Sequence, residues 1–310
     1  DLLPNFIDEW VDTRDVGALI AEEDEDDLLA RSNADALAAV DPAAAKVAIA
    51  EAEEIAAIKA RGEEPPEEPA PAAPAADDGS AAEEDEKGPA LLSRAWFEES
   101  FLMSDGRAKP ELLINIDSLT ILLLVLPLSW FFGRYRMMVS LVLGMGIGLV
   151  GFVAAGLSQA GMVVGLMIFV FAIGEIICSP KFSEYIGMTA PPDKKAIYMG
   201  YSNIPFAIGW AGGNWLSGPL YDWLSSRNTL AQRWLVDNAG MAKDVAKELE
   251  GEPLLNVVAV QMGNGATAWD VKRVLWQTYH PWIIWLVLGV IGGASVVGMY
   301  VSYRRAQKTA

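Results

Sequence analysis

Five stretches of nearly unbroken apolar residues dominate the chain after residue 112, at about 113–133, 136–158, 161–189, 197–223 and 281–303. Each is close to the roughly 20 residues an α-helix needs to cross the hydrocarbon core of a bilayer. Soluble core helices seldom follow one another as such runs, so the pattern predicts five membrane-spanning helices. The third and fourth stretches also carry polar residues. A longer polar segment, 224–280, separates the fourth from the fifth and is predicted to be an outer loop.

Ahead of the bundle at 113–310 the pattern is different. Residues 1–15, with Phe6 and Trp10, fit the end of a preceding transmembrane helix or its outer loop. Residues 16–112 form an acidic extramembrane insert. Ala, Leu and Glu dominate from Gly17 to Ala60, broken at Pro42, and predict helix; the run Glu22–Asp27 must be solvated, because unpaired buried carboxylates are too costly. Residues 62–90 are Pro, Ala and Glu, with too little apolar surface to offset the entropy of ordering, and so predict a disordered linker. Leu91–Met103 is amphipathic through Trp96, Phe97, Phe101 and Leu102, which suits a membrane surface. The expected fold class is an all-α membrane protein of five spans, preceded by an acidic, partly disordered region.

Charge sharpens that division. The chain is 52% hydrophobic yet carries a net charge of −18, and 30 of its 41 Asp and Glu lie before Leu112, against nine Lys and Arg there. Such charge repels nucleic acid and anionic surfaces, so no nucleic-acid partner is expected. One cysteine, Cys178, excludes an internal disulfide and a Cys-based zinc site, and one histidine, His280, leaves little for a His-based metal site. No phosphate loop, dinucleotide fingerprint or nucleophile–base constellation stands out, so neither enzyme activity, a cofactor nor a metal is expected.

Orientation follows from the short loops. Arg134 and Arg136 follow the first stretch, Lys194 and Lys195 the third, and Arg304, Arg305 and Lys308 the fifth. With five spans all three clusters face the cytoplasm of a cell inner (plasma) membrane, which puts the acidic region outside and the C-terminus inside. Arg227, Lys272 and Arg273 in the long outer segment depart from the rule. An odd number of spans and a start at Asp1 fit a fragment better than a complete transporter.

Several residues could carry function. Glu175 lies mid-span, where an ionisable group costs several kcal/mol (roughly) unless paired or hydrated, and so should face a cavity or a partner. Ser179 and Ser183 follow at intervals of four on the same helical face, and Pro180 frees a backbone carbonyl near it. A polar stripe with a local helix irregularity is how membrane transporters build substrate sites. Asn115 and Asp117 open the first span, Asp117 as a possible proton or polar site. Ser202, Asn203, Pro205 and Asn214 run through the fourth. The pairs Gly144 and Gly148, Gly209 and Gly213, and Gly289 and Gly293 are four apart, a spacing that lets helix backbones approach closely. Lys181 and Glu184 fit an exposed pair, and His280 an interfacial position.

The stretch GEIICSPKFSEYIGMTAPPDKKAIYMGYSNIPFAIGWAGGNWLSGPLYD, residues 174–222, resembles the tenth and eleventh helices of the proton-dependent oligopeptide transporters, a branch of the major facilitator superfamily. It shares the mid-helix Glu followed by Ser-Pro, the Ala-Pro at the cytoplasmic end and the Met-Gly start of the next helix. INIDSLTILLLVLPLSWFF, residues 114–132, is similar to that family's eighth helix, and Leu2 to Trp10 to the outer end of its seventh. The resemblance implies the eighth to twelfth helices of a twelve-helix fold. It also implies proton-coupled uptake of peptides or similar small solutes by alternating access. Glu175 would meet the amino end of the substrate, with Ser179, Asn203, Asn214 and Asn115 lining the cavity. Asn115-Ile116 stands where the family has Asn-Pro, and Lys181-Phe182 where it has small residues. The partners implied are a peptide-like substrate, protons, the lipid bilayer and a chain carrying the missing N-terminal helices. The alternative function is a membrane-anchored interaction or scaffold subunit whose acidic region binds a partner.

Overall fold

The computed structural model describes residues 2–22, 24–62, 94–103, 105–263 and 265–309. Residues 63–90 of the linker expected at 62–90, and residues 91–93 of the amphipathic stretch, lie outside them. The described residues are mostly helical and contain no strand, only isolated bridge residues such as Asp12 paired with Ala160. In chain order the helices are α1 (Leu2–Trp10), α2 (Arg14–Ala21), α3 (Glu25–Ala38), α4 (Pro42–Ala60), α5 (Arg94–Phe101), α6 (Pro110–Phe132), α7 (Met137–Ala155) and α8 (Gly161–Thr189). They continue as α9 (Lys195–Tyr201), α10 (Asn203–Leu224), α11 (Arg227–Ala239), α12 (Lys243–Lys247), α13 (Gly251–Met262), α14 (Ala268–Tyr279) and α15 (Ile283–Thr309). The chain divides into two compact units, Asp1–Leu19 with Gly106–Arg227 and Trp276–Ala310, and Ile20–Asp105 with Asn228–Leu275.

The first unit is a helical membrane bundle. Four of its helices are long and apolar enough to cross a bilayer, at Pro110–Phe132, Met137–Ala155, Gly161–Thr189 and Ile283–Arg305. At 22 residues, α10 has the length, but Asn203, Pro205, Asn214, Ser217 and Pro219 keep it below the apolarity of those four. A fifth span is therefore not among the helices that qualify. A break at Ser202 also divides α9 from α10, and the Ser202 hydroxyl donates to the Met199 carbonyl at 2.7 Å.

Helix α8 is the centre of the bundle, packed against α6 on one side and α7 on the other. Glycine makes the second contact possible. A Cβ on Gly144 would lie 2.8 Å from the Gly174 carbonyl oxygen, and one on Gly151 would lie 2.5 Å from the Phe171 nitrogen. A Cβ on Gly174 would collide with the Gly148 backbone. With no hydrophobic drive between helices in lipid, such close backbone packing holds them together. On its other flank α7 meets α15, where Gly156 lies under the Trp285 indole and Gly289 and Gly292 receive Val153 and Leu149.

One end of the bundle is tied by polar contacts. The Trp10 indole N–H donates to the Ser225 carbonyl at 2.8 Å, and the Ser225 hydroxyl donates to the Pro281 carbonyl at 2.6 Å. Glu9 accepts from the Tyr221 hydroxyl at 2.6 Å and the Arg227 amide at 3.0 Å. Asp12 and Asp15 hold the start of α8: the Gly161 amide donates to the Asp12 carbonyl at 2.9 Å, and the Met162 amide to Asp15 Oδ2 at 2.8 Å. Carboxylates favour a helix N-terminus, where amides lack partners.

The second unit is built from two distant segments, Ile20–Asp105 and Asn228–Leu275. Asp24 and Asp41 cap α3 and α4 by accepting from Asp26 and Ala43, and Pro42 opens α4 at a position where its missing N–H costs nothing. Helix α4 packs on α12 and α13, with Ala45 and Ala52 buried beside a core of Leu254, Leu255, Val257 and Val258. Asp41 and Asn256 exchange two hydrogen bonds, of 3.0 and 2.9 Å, and Lys59 pairs with Glu248 at 2.7 Å. These two segments hold 30 of the 41 acidic residues and 11 of the 23 basic ones, a net charge of −19. The membrane bundle is left at +1.

Candidate functional site

A cavity of about 850 Å³ opens in the membrane bundle between α7, α8, α15 and the junction of α9 with α10. Its volume falls within the range of small-molecule sites. Helix α8 supplies Phe171, Gly174, Glu175, Cys178, Ser179, Phe182 and Ser183, which recur every three or four residues and so share one face. Val164, Ile168, Ala172 and Ile176 of the same helix are buried. The small side of α7, Gly144 and Gly148, leaves room for the cavity, while Met145 and Phe152 wall it. Phe182 meets Phe206 edge-on with 5.5 Å between ring centroids, which joins α8 to α10 across the opening.

Of the residues singled out from the sequence, the structure brings Glu175, Ser179 and Asn203 to this one cavity. Asn115, Asp117 and Asn214 are not in its wall. Asn214 lies eleven residues beyond Asn203 on the same helix, roughly 16 Å along its axis. Asn115 is exposed on α6. Asp117 is half-buried there, its Oδ1 shielded and without a hydrogen-bond partner among the described residues. Glu175 has no ion pair among the described residues, whereas Lys181 further along α8 pairs with Glu184 at 2.7 Å.

The polar wall has a consistent direction. Ser202 donates to the Met199 carbonyl at 2.7 Å, Ser295 to Ile291 at 3.2 Å and Ser183 to Ser179 at 3.5 Å. The Asn203 amide donates to Met199 and Gly200 at 3.4 and 3.5 Å. Each points its hydrogen at its own helix, as hydroxyl and amide side chains do when helix carbonyls lie within reach. The contribution of α15 is absent from the sequence reading. Leu288, Gly292, Ser295 and Met299 line the cavity at spacings of four, three and four, a helical stripe visible in the sequence once a neighbour is known. Among the described residues no three His, Cys, Asp or Glu side chains converge to hold a metal ion.

Comparison with known proteins adds one relation. No family model matches the chain, and no solved structure matches it. Over 122 residues it is 25% identical to the multidrug resistance protein MdtH of Blochmanniella pennsylvanica. That segment is 39% of this chain and spans 30% of the relative's length. With the chain's apolar helices, this partial similarity supports a multi-pass helical membrane protein; it does not single out the oligopeptide branch.

Proposed function

We propose that the chain is part of a secondary active transporter, one that takes up peptides or similar small solutes by alternating access with proton coupling. The observation that carries this reading is Glu175: a carboxylate within a membrane-spanning helix, in the wall of a cavity, with no basic side chain in that wall among the described residues. Such a group is costly unless paired or hydrated, and at that depth it marks a place for a ligand or a proton. Ser179 and Asn203 stand beside it as substrate contacts. Asp117, with a shielded carboxylate oxygen on α6, is the second proton group. In this reading α10 is a fifth span, and Asn214 and Asn115 face the remainder of the pathway beside helices from another part of the transporter. The membrane is the cell inner membrane, with the acidic region outside and the C-terminus cytoplasmic.

Uptake by the intact transporter in proteoliposomes under an imposed pH gradient is the test. Glu175→Gln preserves shape at an accessible position and is expected to abolish flux while the protein stays folded and monodisperse. Unchanged flux overturns the reading.

A second reading, a membrane-anchored subunit that recruits a partner, is favoured by the net charge of −19 on a unit with its own core. Removing residues 20–105 and 228–275 together separates the two. Transport that survives the deletion makes the acidic unit an accessory.

A further inference from the structure

We infer that the groove between α4 and α13 in the acidic unit docks a basic amphipathic helix of a partner protein. The inference rests on the second reading and deepens it, by naming where the acidic unit binds and what chemistry it binds.

The groove lies wholly within the second unit and encloses about 560 Å³. Its α4 wall is Ala44, Val47, Ala48 and Glu51, which share one helical face. Leu255 and Ala259 of α13 line it as well. The alanines let another helix come close, and Val47 is left 57% exposed.

Polar groups in this wall are few and partly engaged. Asp41 and Asn256 exchange hydrogen bonds, and the Asp41 carboxylate caps α4. An extended peptide would bring backbone N–H and C=O groups with little to meet them, and no strand among the described residues offers an edge to extend. A helix arrives with its backbone satisfied, and a ridge of its side chains can settle between two packed helices. From Ala44 to Glu51 the α4 wall runs roughly 10 Å, about two helical turns, so a short apolar stripe on the partner fills it.

Charge selects the partner. Glu51 and Glu252 are exposed in the wall, neither holds an ion pair among the described residues, and no Lys, Arg or His of those residues lines the groove. The unit around them carries −19. A second copy would bring the same charge, and like charges set against each other at an interface are costly. Residues 63–93 of the same chain, with ten Asp and Glu against one Lys, are disfavoured as occupant for the same reason. A helix whose apolar stripe is flanked by Lys or Arg matches both the alanine wall and the carboxylates.

Binding of labelled peptides to the purified full chain in phosphatidylcholine nanodiscs, with empty discs as the baseline, tests this. The probe is a helical peptide with a leucine stripe and lysine elsewhere. A scrambled peptide of the same composition lacks the stripe, and a third carries glutamate in place of lysine. Saturable binding of the probe is expected, with the scrambled peptide weaker by about tenfold or more and the glutamate peptide unbound. Ala44→Lys, at an exposed position in the wall, is expected to weaken the probe about tenfold. Ala57→Lys adds the same charge at an exposed α4 position outside the wall and is expected to weaken it much less. Both changes put a good helix former at an exposed site, so the fold is kept. Equal weakening by the two variants, or equal binding of the scrambled peptide, means attraction by diffuse charge; it overturns the inference and leaves the second reading standing. Binding of the glutamate peptide as tight as that of the probe also overturns it. If no peptide binds saturably the inference falls, and the deletion described above decides the second reading separately.

Discussion

The contact of α7 with α8 and that of α4 with α13 join helices by opposite means. In the membrane bundle Gly144, Gly151 and Gly174 bring two backbones together without a side-chain hydrogen bond between them. In the acidic unit alanines and leucines fill the interface, and polar straps, Asp41 with Asn256 and Lys59 with Glu248, close its edges. The solvent explains the difference. Water drives apolar side chains together and rewards burying them. Lipid gives no such drive, so association there depends on how closely backbones can pack.

The largest effect should come from filling the glycine contact. Gly174→Leu sets a side chain into the α7 backbone, which cannot yield as a flexible side chain would. The cost should reach or exceed the ~3 kcal/mol upper range of ordinary overpacking, seen as loss of folded, monodisperse protein. The same change at Gly213, which has nothing near it among the described residues, should shift the unfolding temperature little. If both variants behave alike, glycine packing is not what holds the bundle.

Cutting a strap should cost less. Asn256→Ala removes two hydrogen bonds at a partly exposed site, worth about 1–2 kcal/mol. Amide exchange at the start of α4 should speed up while the α7 and α8 amides keep their protection. Uniform loss of protection would mean that the two units unfold together.

Acidification should have the smallest effect, confined to the acidic unit. Asp270 sits in a capping box at the start of α14, where its carboxylate accepts from the Thr267 amide at 3.0 Å and the Thr267 hydroxyl at 2.9 Å. The Thr267 amide bond holds the Asp270 carboxyl below the usual aspartate value; burial opposes it, and the Thr267 hydroxyl and Arg273 add lesser help. Its folded value being lowered, this contribution is complete above the unfolded aspartate range and fades as pH falls through that range toward the folded value. Exchange at the start of α14 should accelerate over that window, and Asp270→Asn should remove the pH dependence.

Much of the membrane bundle was legible because a spanning helix advertises itself by composition alone. Four qualifying helices, α6, α7, α8 and α15, overlap the stretches chosen from the sequence. Helix α10 was harder, since Asn203, Asn214 and two prolines blur the apolar signal that length supports. The joining of α4 with α13 was invisible. Helix α4 is rich in alanine, which reads as neither face, and its partner lies some two hundred residues on. At the site, Glu175 was found by its cost in an apolar run, and Ser179 by its spacing from it. The α15 wall was missed because glycine and serine in an apolar helix look like packing until a cavity appears beside them.

Cys178 gives the cavity a chemical address. It is the only thiol in 310 residues, it is partly accessible, and it stands in the cavity wall one residue from Ser179. A maleimide added to the native protein can therefore attach at one place only. Protection of that thiol by a candidate ligand would register occupancy without engineering a single residue.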